Sequence, residues 1–316
     1  MQEFLTNAGI CASQVAVMFI FIAIGFVLFR RRTITDAGVS EMTTLLLRVV
    51  TVCVIANSFI QIEYSPELSA DLVRALVISV LAHGIGIAIS VPIFAKAPDG
   101  KKSVLRYATI FSNCGFMSLP LTDAVFGARG TVYVSVYVAV FNLLVWTFGI
   151  HIYGKKLNLR KALINPGTIG LSLGMIFYFL PTLLSGFETP SIIKNCFSTI
   201  ASVNTPLAMI LLGTFLSKCD FRPQKGEGWT VLCVVLRLII IPVITFGVLR
   251  LILPSSFVGV VTVMMIPIAA SSATNTVLFA SDCGQDAVYG SKLVSISTII
   301  CIVTIPLISA AAMALA

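Results

Sequence analysis

Charged residues are scarce in this sequence: only 11% of its 316 residues are Asp, Glu, Lys or Arg, and 58% are hydrophobic. A soluble globular domain carries about 25% charged residues, so this chain cannot cover a water-exposed surface. A soluble enzyme or signalling domain is therefore excluded, and the mean hydropathy of +1.02 excludes disorder. The composition predicts an integral membrane protein in a lipid bilayer, with almost no domain outside it.

Motifs of catalysis and nucleotide binding are also missing. The sequence contains no HExxH, no GxGD and no GxxxxGKS or GxxxxGKT pattern. It has only two histidines, His83 and His151, and its eight cysteines form no CxxC pair. We therefore expect no enzyme activity, no cofactor and no metal site. Five cysteines lie singly inside apolar runs and are expected to act as small apolar packing residues: Cys11, Cys53, Cys114, Cys233 and Cys301.

Long uninterrupted apolar runs, such as residues 12–29, make up most of the chain. A spanning helix needs about 20 apolar residues, whereas a barrel strand alternates apolar and polar residues. The first run is expected to be a spanning helix rather than a cleaved signal, because no basic residue precedes it and three arginines follow it. Apolar runs and helix breakers predict ten spans, at residues 8–29, 37–60, 71–95, 103–127, 130–153, 166–184, 189–217, 228–252, 256–282 and 286–313.

Basic residues alternate between the predicted loops. The odd-numbered loops hold 15 of the 21 Lys and Arg residues, and the even-numbered loops hold four. Because Lys and Arg collect in cytoplasmic loops, this pattern predicts a multi-pass protein of the cytoplasmic (inner) membrane with both termini outside. The net charge of +8 therefore indicates orientation in the bilayer, and we expect no nucleic-acid partner.

Ten spans divide into two halves of five, at residues 1–153 and 154–316. An odd number of spans per half inverts the second half relative to the first, which is the inverted-repeat plan of many secondary transporters. Residue-level similarity between the halves is weak. The best trace of a repeat is that the corresponding spans 4 and 9 are both interrupted.

Helix-breaking residues interrupt spans 4 and 9 near mid-depth. Span 4 carries Asn113, Gly115 and Pro120, and span 9 carries Pro267 followed by polar side chains as far as Asn275. Proline donates no backbone hydrogen bond and disfavours helix at the preceding residue. Unwound backbone is tolerated in hydrocarbon only where protein or a wet cavity surrounds it, and two matched interruptions point to a transporter binding site. A pair of ordinary proline kinks is the alternative interpretation.

Half-helices starting near Pro120 and near Ser272 would direct their N-termini at the midplane. Free N–H groups and a partial positive charge at these ends favour an anion. Asn113 and Asn275 would add amide donors. The sequence thus predicts an anion site where the two breaks meet.

Three ionisable residues inside the spans have two readings each. His83 is either a proton-coupling group or a buried, hydrogen-bonded histidine. Asp123 is either an acid that stabilises the first turn of a half-helix or an ion-coupling ligand. Arg237 either pairs with a substrate carboxylate or is anchored by a partner acid or by backbone carbonyls.

The sequence around the first break resembles a known family. Residues 113–121 read NCGFMSLPL and are followed by FG at 126–127. This is similar to the fourth-helix motif N-x-G-F-M-G-L-P-L…F-G of bacterial members of the auxin efflux carrier family of permeases, with Ser118 in place of the usual Gly. Weaker matches over nearly the whole chain are IGF at 24–26 before the arginines at 30–32, PLA at 206–208, PIA at 267–269 and IPL at 305–307.

This resemblance implies an architecture similar to the bile-acid symporter and sodium/proton antiporter folds. Spans 1, 2, 6 and 7 would form a scaffold, and spans 3–5 and 8–10 a mobile transport domain in which spans 4 and 9 cross. Asp71 and Arg74, three residues later in the sequence, loosely match an acidic–basic pair of plant members, so Asp71 becomes a candidate for ion coupling. The substrate-binding set implied at the crossing is Asn113, Cys114, Gly115, Pro120, Pro267, Ser271, Ser272 and Asn275.

The expected function is secondary active transport of small organic anions, such as carboxylates, by alternating access. Family members carry auxin, malate or malonate. Coupling to protons or sodium and a homodimer through the scaffold helices are further expectations. The alternatives are an ion channel, a sodium-coupled symporter of another solute class and an intramembrane enzyme, although no filter-like repeat supports a channel.

Overall fold

A computed structural model describes residues 2–184, 188–218 and 227–315, and its regular structure is helical. Within these ranges the only pairing of extended backbone is a single antiparallel bridge between Ser112 and Ser272. The predicted loop residues Arg222 and Lys225 lie outside the described residues. The α-helices are α1 (Gln2–Arg30), α2 (Asp36–Leu45), α3 (Thr51–Ile60), α4 (Pro66–Ile93), α5 (Lys102–Ile110), α6 (Leu119–Leu144), α7 (Ile150–Ile152), α8 (Leu159–Leu163), α9 (Pro166–Leu183), α10 (Ser191–Ser202), α11 (Asn204–Ser217), α12 (Glu227–Val235), α13 (Ile241–Ile252), α14 (Val258–Ala269), α15 (Asn275–Asp282) and α16 (Ala287–Ala314).

Six helical stretches in the described part of the chain are long and apolar enough to cross a bilayer. A seventh is α16, which is bent by 53° near its middle. Two shorter apolar stretches accompany them: Ala16–Arg30, which is the second half of α1, and Ser255–Ala269, which contains α14. The protein is therefore a multi-span membrane protein whose described part is all-helical, but this count does not reach the ten spans that the sequence predicts. The six stretches are Asp36–Ile60, Pro66–Lys96, Cys114–Ile152, Leu159–Leu183, Ser191–Ser217 and Gly228–Ile252.

One of these stretches, Cys114–Ile152, has a backbone break inside it. Gly127 has φ 63° and ψ −160°, a conformation that residues with a Cβ rarely adopt. The predicted boundary between residues 103–127 and 130–153 falls at this glycine. The sequence therefore predicts two spans here, whereas the structure has one helical stretch with a kink at the predicted boundary.

Side-chain caps set where two of the long helices begin. The Ser65 hydroxyl accepts a hydrogen bond from the Leu68 N–H (3.1 Å) just before Pro66, and α4 starts there, five residues ahead of its predicted start at 71. Asn165 and Thr168 form a reciprocal capping box at the start of α9, where the sequence predicts it. A proline at the first helical position suits both starts, because its missing N–H needs no partner there.

Helices α1 and α11 cross at two glycines. A Cβ atom added at Gly25 would overlap the backbone of Ile210, and one added at Gly213 would overlap the backbone of Ile22. Only glycine allows this approach between two helix backbones.

Helices α3 and α9 also meet at glycines. Gly170 and Gly174 lie against Ile55 and Phe59 of α3. These glycines flank Ser172 in a GxSxG pattern of the kind hydrolases carry. In hydrolases the pattern forms a sharp strand-to-helix turn, whereas here it lies inside the continuous helix α9, so it serves helix packing.

Two buried apolar clusters meet around the interruptions in spans 4 and 9. One includes Phe111 and Ala273, and the other includes Phe116, Ala269 and Ala270. Neighbouring residues of each interrupted segment thus belong to different clusters. The two segments lie in the interior of the protein, as unwound backbone in a membrane requires.

Candidate functional site

Two extended segments cross inside the protein between the halves of two broken helices. Helix α5 ends at Ile110 and α14 ends at Ala269. The Asn113 N–H donates to the Ser271 carbonyl (2.8 Å), and the Ala273 N–H donates to the Phe111 carbonyl (2.9 Å). Both interruptions that the sequence predicts are therefore present, and they cross as a short antiparallel pair.

The interruption in span 4 lies upstream of its proline. The chain is helical again from Cys114, first as a π-helical turn over Cys114–Ser118 and then as α6, where Pro120 occupies the first turn. Pro267 likewise lies inside α14, before the break rather than in it. The half-helix therefore begins at Cys114, and Pro120 lies six residues inside it. The π-helical turn directly before Pro120 is the kind of local adjustment that accommodates a proline in a membrane helix.

Helix α16 holds the second broken segment in place. The Ser297 hydroxyl accepts from the Ser272 N–H (3.1 Å), and the Thr298 hydroxyl donates to the Ser271 hydroxyl (3.2 Å). Side chains of α16 thus supply part of the hydrogen bonding that the second broken segment loses where it leaves the helix.

Polar atoms without a hydrogen-bond partner in the protein gather at and just after the two breaks. Buried polar groups are normally paired, and an unpaired one costs about 1–3 kcal/mol. Hydroxyl and amide groups can donate to an anion, so this set is a ready supply of donors. Among the described residues the set comprises Ser112 Oγ, Asn113 Nδ2, Ser118 Oγ, Thr122 Oγ1, Ser272 Oγ and Thr276 Oγ1.

Helical segments begin on both sides of the crossing, at Cys114 and at Asn275. Their first N–H groups carry the partial positive charge of a helix N-terminus. Cys114 is fully buried, Asn275 is half-buried, and a Cβ added at Gly115 would meet nothing within 4 Å. Space therefore borders the first turn of the half-helix.

The guanidinium of Arg237 lies at the C-terminal ends of α5 and α14, the half-helices that precede the two breaks. It is 2% exposed and donates to four backbone carbonyls. Two belong to α5, at Thr109 (3.2 Å) and Ile110 (3.3 Å). The other two lie at the end of α14, at Ile268 (2.5 Å), and directly after it, at Ala270 (3.0 Å). Of the two sequence readings, the geometry shows the carbonyl anchor.

A separate cluster of charges surrounds Asp71 at the start of α4. Its carboxylate accepts from Arg74 (2.6 Å), from Arg129 (3.1 Å) and from the Tyr133 hydroxyl (2.6 Å). The cluster borders a cavity of about 530 Å³ between α4, α6, α14 and the end of α16, and the Arg129 side chain is 58% exposed there. An exposed guanidinium beside a cavity attracts anions.

Comparisons with known proteins identify a family of membrane transport proteins. The family model described as membrane transport protein, that of the auxin efflux carriers, matches residues 10–158 and 154–309. This chain belongs to the auxin efflux carrier family. It is also 26% identical over 216 residues to an uncharacterized transporter of Methanothermobacter thermautotrophicus, across 66% of this chain and 68% of that protein.

Family membership supports a transporter rather than an enzyme. In the present chain, the crossing brings together three predicted substrate residues, Asn113, Ser271 and Ser272. Two more, Cys114 and Gly115, lie in the adjoining π-helical turn. Other predicted substrate residues flank the crossing in the half-helices: Pro120, Pro267 and Asn275.

The predicted coupling residues occupy three different places in this family member. His83 is buried, its Nδ1 lies 2.8 Å from the Ser79 carbonyl, and its ring centroid lies 4.7 Å from that of Tyr137. Asp123 is exposed and accepts a 3.3 Å hydrogen bond from Thr131. Asp71 belongs to the cavity cluster. The structure thus keeps all three apart, and their coupling roles stay predictions.

Sequence reasoning missed several polar residues of the crossing. Thr122 follows Ser118 by four positions, so these two side chains share one face of the half-helix. Thr276 lies in the first turn of α15, directly after the predicted Asn275. That spacing and that adjacency were usable signals. Arg129 and Tyr133 gave no such signal, because their partner Asp71 lies 58 and 62 residues away in the chain.

Proposed function

We propose that this protein is a secondary active transporter of small organic anions, with carboxylates as the main class, and that the anion binds at the crossing. The observation that carries the proposal is the group of unpartnered buried donors around two half-helix starts. Asn113 and Asn275 supply amide donors, and Ser272 supplies a hydroxyl. Helix N-termini and neutral donors recognise an anion without a fixed counter-charge.

We further propose ten spans in a five-plus-five inverted repeat. The stretch Cys114–Ile152 has 39 residues. As a helix it would be about 58 Å long, about twice the 30 Å hydrocarbon core, so the break at Gly127 divides it into two spans. That division, the bent α16 and the two shorter apolar stretches bring the total to ten.

The packing supports a scaffold and a transport domain. Helix α1 packs against α11, α3 packs against α9, and α10 packs against α3, which joins predicted spans 1, 2, 6 and 7. Helix α14 packs against α4 and α6, and α16 packs against α14 and α15, which joins members of spans 3–5 to spans 9 and 10. Helix α1 also packs against α16, so the two groups meet at that contact. Movement of the second group against the first would expose the crossing alternately to each side.

The cavity beside Asp71 is the proposed approach to the crossing. It lies among the even-numbered loops, which the charge pattern assigns to the outside. We propose that Arg129 attracts the anion there and that residues 1–153 and 154–316 form the two repeats. Location in the cytoplasmic membrane, coupling through His83, Asp71 or Asp123 and a homodimer through the scaffold helices stay predictions.

Reconstitution in liposomes tests the proposed function. Labelled monocarboxylates and dicarboxylates are offered to vesicles loaded with the same unlabelled compound. The proposal predicts saturable uptake that an internal substrate accelerates by counterflow, because one site alternates between the two sides. Single-channel currents without counterflow would instead show a pore, and uptake of neutral or cationic solutes alone would refute the anion class.

A further inference from the structure

The guanidinium of Arg237 lies where two broken helices end. The carbonyls of Thr109, Ile110, Ile268 and Ala270 converge on it at 2.5–3.3 Å. These carbonyls lie in the last turns of α5 and α14 or directly after them, where helical partners are lost because the chain continues as extended backbone. Arg237 is brought to them by a π-helical turn, a feature often found at functional sites.

The charges at this point balance. A helix C-terminus carries roughly −0.5 of an elementary charge, so two converging ends amount to about −1, which one guanidinium neutralises. The starts at Cys114 and Asn275 together contribute about +1 on the other side of the crossing. With Arg237 in place, the crossing as a whole is therefore positive and suits a single negative charge.

In other transporters built with broken helices, unwound carbonyls and half-helix C-termini coordinate Na⁺. We propose that Arg237 is a built-in cation that takes this position, so that anion transport by this protein requires no Na⁺ or K⁺ at the crossing. The uptake test of this inference rests on the proposed function, whereas the cation-binding and unfolding tests do not.

The geometry also distinguishes this role from a direct contact with substrate. A guanidinium has five N–H donors, and four hydrogen bonds from Arg237 already go to backbone carbonyls. Tyr137 interacts with the same guanidinium. A substrate carboxylate would have to displace these carbonyls at the helix ends, so Arg237 is a positioning residue that holds α5 and α14 together.

Cation binding to the purified protein tests the proposal without any transported substrate. The wild-type protein is expected to bind no radiolabelled sodium and to unfold at the same temperature in NaCl, KCl and N-methylglucamine chloride of equal ionic strength. Saturable sodium binding, or stabilisation specific to Na⁺ or K⁺, would overturn the proposal even if no variant could be purified.

Substitution of Arg237 should make the stability of the protein depend on an added cation. Arg237→Ala is expected to unfold at a lower temperature in N-methylglucamine chloride and to regain part of the loss saturably with Na⁺ or with methylguanidinium. Arg48→Ala is the matched control, because Arg48 also lies in a π-helical turn but is exposed. An Arg237→Ala protein that folds and responds equally to all salts would contradict the inference.

Uptake separates this inference from the proposed function. Wild-type carboxylate uptake is expected to change less than twofold when Na⁺ and K⁺ are replaced by N-methylglucamine on both sides. A requirement for either ion would refute the built-in cation while leaving anion transport intact. Absence of anion uptake in every salt would refute the proposed function, and the binding results would still decide the role of Arg237.

Discussion

Asp71 shows how one buried acid can tie two helices together. Its side chain is 10% exposed and joins Arg74 of its own helix to Arg129 and Tyr133 of α6. A buried carboxylate is tolerated only where charges and hydrogen bonds compensate its lost hydration. The cluster therefore fixes α4 against α6 at the rim of the cavity.

Removal of one partner should weaken this cluster measurably. Tyr133→Phe deletes a hydroxyl that donates to the Asp71 carboxylate at 2.6 Å. Because two arginines remain, we expect a loss of about 1 kcal/mol in unfolding free energy, below the 1.5–3 kcal/mol typical of a bond to a charged group. Thermal or denaturant unfolding in detergent measures the loss.

The control for this substitution is Tyr64→Phe. Tyr64 is 40% exposed and makes ring contacts with Tyr178 and Phe179. Equal stability of the two variants would show that the Tyr133 hydroxyl contributes nothing to the cluster.

Functional candidates could be predicted from sequence where an ionisable side chain lies inside an apolar run. His83, Asp123 and Arg237 stand out because each is ionisable inside an apolar run, and the carbonyl anchor was one of the two readings of Arg237. Which reading applies could not be known, because the carbonyls come from α5 and α14, distant in the chain. Tyr133 was invisible for the same reason.

Among the helices, the contact between α1 and α11 depends on two glycines. Gly25 and Gly213 let each backbone lie against the other without an intervening side chain. In a bilayer such close packing stabilises helix association through van der Waals contact.

A larger side chain at this contact should separate the helices. Gly25→Leu would overlap the backbone of Ile210, which cannot rotate away. We expect a loss above the 1–3 kcal/mol that is typical of overpacking, despite the roughly 1 kcal/mol that leucine gains in helix propensity. Fluorescence-detected size exclusion after heating would register the lower unfolding temperature.

Gly84→Leu serves as the comparison, since Gly84 is exposed on α4 and a Cβ there meets nothing within 4 Å. This variant should be as stable as the wild-type protein or slightly more so. If both leucines had the same effect, close packing of α1 on α11 would not be the cause.

The interruptions were predictable as elements, but their positions were less so. Asn, Gly and Pro at mid-depth indicate poor helix in span 4, and the structure has its break there. The prolines suggest a break near Pro120, yet the extended segment ends at Asn113, and the half-helix that starts at Cys114 continues through Pro120. Local propensity identifies the interrupted span, whereas pairing with Ser271 and Ser272 decides where the chain unwinds.

For the whole molecule, the charge pattern predicts the orientation in the membrane. Basic residues crowd the odd-numbered loops, and acidic residues such as Glu63 and Glu67 follow span 2. The membrane-embedded character followed from composition, and the helical character followed from the long uninterrupted apolar runs. The proposed division into ten spans depends on breaks such as Gly127, which hydropathy detects only as a weak boundary.

Reporter fusions test this orientation. Alkaline phosphatase fused after Glu63 should be active, because that loop is predicted outside, and a fusion after Gly100 should be inactive. Green fluorescent protein at the same two sites should show the opposite pattern. Activity of the phosphatase at Gly100 but not at Glu63 would reverse the topology and place the Asp71 cavity on the inner side.

The central claim is that the crossing binds the transported anion, and the affinity of an Asn113→Ala variant tests it most directly. Isothermal binding of the transported carboxylate should weaken roughly 10- to 100-fold, the equivalent of one hydrogen bond to a charged group. Asn57→Ala, which removes a half-buried amide from α3, should bind like the wild-type protein. Wild-type affinity in a folded Asn113→Ala protein would contradict the account.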